Sequence, residues 1–217
     1  MSKPDARIKL LDAAIDLVRA QGYAATTVDE LCRKAGVTKG AFFHHFDSKD
    51  MLAVSAVNHW SQTTSGLFAN APYHDHADPL DRVLAYVDFR RAMLQGAPAA
   101  FTCFAGTTVQ ESFATNDDIR AACEKSIFGH AEMLVADISA AMRQHKVRGN
   151  WTAQGLALHT QAVLQGAFVL AKASGSAAIA IESADHLRRY IELLFNRQPT
   201  GPARVTRARP QPRSHHA

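Results

Sequence analysis

Signals that start and stop α-helices recur along this 217-residue chain. Residues that cap helix N-termini precede apolar residues at helical spacing, and Gly and Pro interrupt the chain between these runs. The alternating polar and apolar runs with tight Asn-Gly or Asp-Gly turns that indicate β-hairpins do not occur. The chain is therefore predicted to be all-α. Nine helices are expected, near residues 5–21, 28–34, 39–45, 48–68, 79–95, 101–114, 117–146, 152–173 and 184–196.

Composition favours a globular protein without a membrane partner. Hydrophobic residues make up 47% of the chain, but no uninterrupted apolar run is long enough to span a bilayer. The N-terminus is charged rather than apolar, so a cytoplasmic location is expected. Cys32, Cys103 and Cys123 lie far apart and lack the paired spacing of a zinc or dithiol motif. We therefore expect free thiols, and neither a metal site nor a cofactor.

The net charge of +4 is concentrated at the C-terminal end. Five of the 24 Lys and Arg residues lie in residues 196–217, which contain no acidic residue, so 19 basic side chains face 20 acidic ones in the rest of the chain. Residues 198–217 are rich in Pro and poor in apolar side chains, which is typical of a disordered tail. An arm that contacts DNA phosphates is the alternative.

Residues 27–46 have the pattern of a helix-turn-helix. Thr27 and Glu30 form a predicted capping box at the start of one short helix, Gly36 permits a positive φ in the turn, and Thr38 caps a second short helix. This geometry places a recognition helix in the DNA major groove, although an ordinary helical hairpin with a charged face shows the same pattern. Basic side chains surround the motif: Arg33, Lys34, Lys39, His44, His45 and Lys49.

Three segments resemble the DNA-binding domain of TetR-type repressors: residues 8–23, which contain Ala13-Ala14, Leu17 and Gln21-Gly22-Tyr23, residues 26–46, and residues 48–52. The resemblance implies a DNA-binding domain over residues 1–52. It implies phosphate contacts from Thr27, His44, His45 and Lys49, and contacts with bases and backbone from Thr38, Lys39, Gly40 and Ala41. Phe43 stands where many members have a Tyr that binds phosphate, so one hydrogen bond is lost there. Phe42 and Phe46 are expected in the core.

The same resemblance implies that residues 53–197 bind an effector and form a homodimer. The chain would then be a ligand-responsive repressor that binds a palindromic double-stranded operator, and not an enzyme. A helical small-molecule carrier or interaction module without DNA binding is the alternative. Apolar residues of the last two helices are candidates for the dimer interface, unless they are only intramolecular core: Leu164, Phe168, Leu187, Ile191 and Leu194.

A largely apolar effector pocket is expected among the helices between residues 79 and 173. The candidate lining residues, half of them expected to be plain core, are Phe89, Met93, Phe101, Cys103, Phe104, Gln110, Glu111, Phe113, Phe128, His130, Met133, His159, Gln165 and Phe168. The segment 102–111 resembles a helix of one TetR subgroup in which a Gly-Cys-Leu element precedes an acidic residue. Some members of that subgroup respond to electrophiles or oxidants through the cysteine. Thr102 replaces the Gly here, and an inert core thiol is the alternative for Cys103.

Overall fold

The structure is a computed structural model that describes residues 5–198. Over these residues the regular elements are helical and no strand is present, which confirms the all-α prediction. The helices are α1 (Ala6–Gln21), α2 (Val28–Ala35), α3 (Lys39–His45), α4 (Lys49–Ala69), a 3-10 turn (Pro72–Asp75), α5 (Pro79–Ala92), α6 (Pro98–Phe101), α7 (Phe104–Ser112), α8 (Asp117–Gln144), α9 (Ala153–Ser174) and α10 (Ala178–Leu194). None of them is long and apolar enough to cross a membrane. The tail predicted after residue 198 lies outside the described residues.

The predicted capping box at the start of α2 is confirmed. The Glu30 amide donates to Thr27 Oγ1 at 3.2 Å, and the Glu30 carboxylate accepts from the Thr27 amide at 2.9 Å. Thr38 caps α3 in the same way, through the Ala41 amide at 3.1 Å. The turn between them contains Gly36 in the left-handed region, at φ 65°. Local hydrogen bonding therefore fixes both ends of the helix-turn-helix.

Two helix boundaries differ from the predictions. The helix predicted over 101–114 is two elements, because Pro98 starts a short turn and the chain is extended at Cys103, whose sulfur accepts from the Gly106 amide at 3.3 Å to begin α7. The last helix begins at Ala178 and not near residue 184. Ser183 lies inside it and donates to the Ile179 carbonyl at 2.8 Å. The N-cap residue Ala177 has no side chain that can cap the helix, and the Ser176 hydroxyl, one residue earlier, accepts from the Ala178 amide at 3.2 Å instead.

The buried residues form two hydrophobic clusters. One contains the inward faces of α1, α2 and α3 with the first half of α4, and also Phe104 and Ile119 from α7 and α8. It includes Phe42 and Phe46, as predicted. The other cluster joins α5, α8, α9 and α10. The domain boundary expected after residue 52 falls inside α4, which continues unbroken. Since α1 also packs on α6 and α7, the N-terminal helices rest directly on the second half of the chain.

Candidate functional sites

The first candidate site is the outer surface of α3, called here the reading face and made of residues 38–41, 43 and 44. Thr38, Lys39, Gly40 and His44 are exposed, and 53% of Phe43 is accessible to solvent. Phe42, on the opposite side of the helix, is fully buried and fixes the orientation of α3. Thr27 is exposed beside this surface, whereas Ala41 and His45 are partly buried. A short helix that is packed on one side and exposed over its N-terminal half has the geometry of a recognition helix in a major groove.

The lysines beside the reading face form only weak ion pairs. Lys39 Nζ lies 2.7 Å from Asp29, and Lys34 Nζ lies 3.2 Å from Asp16. All four side chains are at least half exposed, and surface ion pairs of this kind contribute about 0–1 kcal/mol to stability. Exchanging Asp29 for a phosphate therefore costs Lys39 little.

Lys49 has a different environment from the one expected of a phosphate contact. Its ammonium donates to the carbonyls of Tyr23 and Thr26, both at 3.1 Å, and lies 4.3 Å from the centre of the Tyr23 ring. Tyr23 in turn donates to Asp50. Two of the three ammonium donors are thus used to hold the loop before α2. The sequence could not show this, because the loop carbonyls converge on Lys49 only after α4 packs against α1.

The loop between α1 and α2 is also tied to α7. The Glu111 carboxylate accepts from the Ala24 amide at 2.7 Å, and Asn116 donates to Asp50 at 2.9 Å. Gly22 lies so close to Glu111 that an added Cβ would be 2.5 Å from Oε1. These contacts connect the start of the helix-turn-helix to the second half of the chain.

The second candidate site is a cavity of about 280 Å³, called here the main cavity. Its walls come from α1, α4, α5, α6, α8 and α9, and they include Arg19, Trp60, Phe68, Arg90, Met93, Phe101, Cys103, His130, Gln161, Gln165 and Phe168. The volume is at the lower end of ligand pockets, which span about 300–1,000 Å³. Because Arg19 belongs to α1, one wall of the cavity is part of the N-terminal helical group.

A polar network crosses the main cavity. Gln161 donates to the Tyr86 hydroxyl at 3.1 Å, while the Tyr86 hydroxyl at 2.9 Å and Arg90 Nη1 at 3.0 Å share the single lone pair of His130 Nε2. Burial and, after it, the nearby Arg90 guanidinium lower the pKa of His130 to about 3. The ring is therefore neutral at neutral pH and acts as a hydrogen-bond acceptor.

Arg19 stacks on Trp60, with its guanidinium 5.2 Å from the ring centre. Its Nε is buried and has no hydrogen-bond partner among residues 5–198. A buried donor left without an acceptor costs about 1–3 kcal/mol. Burial also lowers the pKa of Arg19, against the opposing effect of Asp16.

The structure brings together part of the predicted pocket. Met93, Phe101, Cys103, His130, Gln165 and Phe168 line the main cavity. Gln110 and Glu111 line a neighbouring cavity of about 220 Å³ instead, between α7 and α9. Phe89 packs in the second hydrophobic cluster and Phe104 is fully buried in the first. Four other candidates lie at the surface, away from both cavities: Phe113, Phe128, Met133 and His159.

Sequence reasoning missed Arg19 and Arg90, and a signal for Arg90 was present. Val83, Tyr86, Val87 and Leu94 form a buried stripe at helical spacing on α5 and just beyond it, and Arg90 occupies a position on that stripe. An arginine on an inward-facing stripe indicates either a buried partner or a cavity.

Cys103 lies at the junction of the two cavities and lines both. Gln165 separates them and lies against Gly106, where an added Cβ would be 2.3 Å from its Oε1. Lys172 lines the smaller cavity and donates to Thr107 Oγ1 at 2.9 Å, one turn from Cys103. The thiol is thus partly accessible and near a cation.

The residues expected at a dimer interface are mostly covered within the single chain. Leu164, Phe168, Leu187 and Ile191 are at most 5% exposed, and Leu194 is partly buried. The outer faces of α9 and α10 carry a second apolar set at helical spacing: Gly166, Leu170 and Ala173 on α9 with Ile179, Tyr190 and Leu193 on α10. The His159 and Tyr190 rings meet at 5.1 Å, so these two faces form one surface, called here the outer face.

Within residues 5–198, no three His, Cys, Asp or Glu side chains are grouped as metal ligands would be. His74, in the 3-10 turn between α4 and α5, contacts the Phe68 carbonyl at 3.0 Å.

Comparison with known proteins places this geometry in a family. Residues 10–56 match the model for bacterial regulatory proteins of the tetR family, and residues 79–187 match the tetracyclin repressor-like C-terminal domain. The regulator YxaF of Bacillus subtilis is 24% identical over 57% of this chain, and the chain spans 65% of its length, slightly less than two thirds. LmrA of the same organism, an HTH-type transcriptional regulator, is 27% identical over 58% of this chain and 67% of its own length.

A solved TetR-family regulator from Agrobacterium tumefaciens superposes with a TM-score of 0.76 at 20% identity, over 85% of this chain and 96% of that one. The two family models together cover both the helix-turn-helix and the helices that enclose the cavity. The chain therefore belongs to the TetR family of bacterial transcriptional regulators, a family of DNA-binding regulators rather than enzymes.

Proposed function

We propose that the protein is a ligand-responsive repressor that binds a palindromic operator as a homodimer and releases it when an effector occupies the main cavity. The observation that carries the proposal is the position of α1. This helix packs on α2 and α3 behind the reading face, and it also contributes Arg19 to the cavity wall. A ligand that favours one position of α1 would change the placement of the reading face.

Binding to a palindromic operator also requires a dimer. A palindrome is read by two recognition helices about 34 Å apart, which one chain cannot supply. The outer face of α9 and α10 is the surface we assign to the partner, because it is apolar, continuous and uncovered in the single chain. The domain limits, near residues 1–52 and 53–197, and the cytoplasmic location belong to this proposal.

The test uses an operator selected from random duplexes. Lys39→Ala is expected to weaken binding to this operator by about tenfold. It should also lower the slope of log K against log salt by about one unit and change the base preference. Lys49→Ala should weaken binding through the loop that it holds, without changing that slope. Fluorescence anisotropy at several salt concentrations measures both effects. Lys125→Ala, exposed on α8, is the matched control. If no duplex is retarded at physiological salt, the carrier alternative replaces this proposal.

We also propose that Cys103 senses electrophiles. It is partly accessible, lines both cavities and caps α7 through its sulfur. The other two thiols are protected. Burial raises the pKa of Cys123 to about 12 and, together with Asp29, raises that of Cys32. A thiol buried in this way has little of the reactive thiolate.

N-Ethylmaleimide is therefore expected to add once per chain, at Cys103, and to release the DNA-bound protein. Intact-mass measurement counts the adducts, while anisotropy follows release. Cys103→Ser should abolish both effects, and Cys123→Ser should abolish neither. Release that persists undiminished in Cys103→Ser, or adducts without release, would leave Cys103 as a packing residue.

A further inference from the structure

The walls of the main cavity carry two arginines and no carboxylate. Arg19 and Arg90 both line it, and none of its other lining residues is Asp or Glu. By contrast, Arg82 on α5 pairs with Asp137 at 2.7 Å, and Arg91 on the same helix pairs with Asp185 at 2.6 Å. The cavity thus holds positive charge that its lining residues, as far as the chain is described, do not neutralise.

Arg90 is held in place by groups that leave its charge uncompensated. Its Nη1 donates to neutral His130 at 3.0 Å and to the Tyr86 hydroxyl at 3.4 Å. Its guanidinium lies 5.3 Å from the Phe68 ring centre and 5.7 Å from that of Phe168. Its Nε and Nη2 make no hydrogen bond to residues 5–198. One side of the guanidinium is therefore positioned and the other is available to a planar acceptor.

Arg19 is the second cation, at a separate place on the wall. It stacks on Trp60, two helical turns before Phe68 on α4, which corresponds to about 12 Å along that helix. The acid nearest to it on its own helix, Asp16, is exposed and pairs with Lys34. Lys172 on α9 adds a positive charge in the neighbourhood, and Glu111 offsets part of it.

We infer that the effector is a small organic acid, whose carboxylate pairs with Arg90 and whose apolar or aromatic body fills the space towards Trp60 and Arg19. The remaining walls fit such a body, since Leu67, Met93, Phe101 and Ile127 line the cavity. Neutral His130 and the hydroxyl of Tyr86 keep the guanidinium fixed without competing for the carboxylate. The inference deepens the proposed function by naming the chemical class of its ligand.

The test compares acids with their own carboxamides, which have the same shape but no charge. Phenylacetate, 3-phenylpropanoate, cinnamate and 1-naphthylacetate, each with its amide, are titrated calorimetrically into the full-length protein. At least one acid is expected to bind about 10-fold or more tightly than its amide, as a charge-assisted pair requires. In the Trp151→Phe background, the fluorescence of Trp60 reports whether that acid enters the cavity, because Trp151 lies away from it against Phe195.

Arg90→Met should weaken the preferred acid by about 30-fold and its amide by less than about threefold. Arg90→Lys, which keeps the charge but loses the planar fork, should give an intermediate loss. Arg120→Met, which removes an exposed arginine from α8, is the control and should leave both affinities unchanged. Thermal unfolding of each variant shows whether it is folded, and the comparison of acid with amide in the wild type does not depend on any variant.

Three results would overturn the inference: no acid in the panel binds, every amide binds as tightly as its acid, or Arg90→Met weakens both equally. Operator binding without ligand is measured in parallel. If the protein binds its operator but does not bind acids more tightly than amides, only the proposed ligand class is refuted. Acid binding by a protein that fails to retard any duplex refutes the repressor proposal and leaves the acid site standing.

Discussion

Leu193→Lys is expected to separate the homodimer into monomers and to weaken binding to the selected operator by about 100- to 10,000-fold. Leu193 is 61% exposed on the outer face of α10, beside Tyr190 at 43%. Two-fold symmetry would place both new lysines in the same interface. Burying two like charges there costs desolvation energy without any opposite charge to offset it, which destabilises the dimer. A monomer then binds one half-site without the gain that comes from linking two reading faces.

Light scattering coupled to size exclusion measures the first effect, and anisotropy with the full palindrome measures the second. Phe128→Lys is the matched control, because Phe128 is similarly exposed, at 54%, but lies on α8. It should leave mass and affinity unchanged. A Leu193→Lys protein that remains dimeric would show that the partner binds elsewhere, and a Phe128→Lys monomer would point to α8 instead.

Helices α9 and α10 each have two apolar faces, and most of the predicted interface residues lie on the faces that are buried within the chain. α9 is apolar on most sides, with Leu164 inside and Leu170 outside. Periodicity shows that a stripe requires a partner, but not whether the partner is a neighbouring helix or a second chain. Leu187 and Ile191 complete the core against α5 and α9, so they are not available to another molecule.

Local signals were sufficient for the helix-turn-helix, because its determinants lie within three or four residues of each other. Thr27 with Glu30, Gly36 and Thr38 each act on their own turn, and all were predicted correctly. Lys49 was assigned from its charge and its family position, while its observed partners are carbonyls 23 and 26 residues away. The lining of the cavity could not be predicted from local signals either, because its walls come from six helices.

Gly22→Ala is expected to lower the free energy of unfolding by about 3 kcal/mol, more than an ordinary loop substitution. Gly22 has φ 94° and ψ 164°, a combination that is essentially restricted to glycine. A methyl group there would also meet Glu111 Oε1 at 2.5 Å. Moving Glu111 away would cost the Ala24 amide its acceptor. Strain and a displaced carboxylate therefore act together at one position.

Gly36→Ala is the matched control, since Gly36 is left-handed at φ 65° but has no atom within 4 Å of an added Cβ. Gly36→Ala should lower the free energy of unfolding only by the cost of placing a residue with a Cβ in the left-handed region, about 1–2 kcal/mol. Urea unfolding at one fixed protein concentration measures both variants, because the stability of the proposed dimer would depend on concentration. Combining Gly22→Ala with Glu111→Ala should be less than additive by about 1 kcal/mol, since the second change removes the atom that the methyl group meets. If the two changes are additive and Gly22→Ala costs no more than Gly36→Ala, then Glu111 does not constrain the loop.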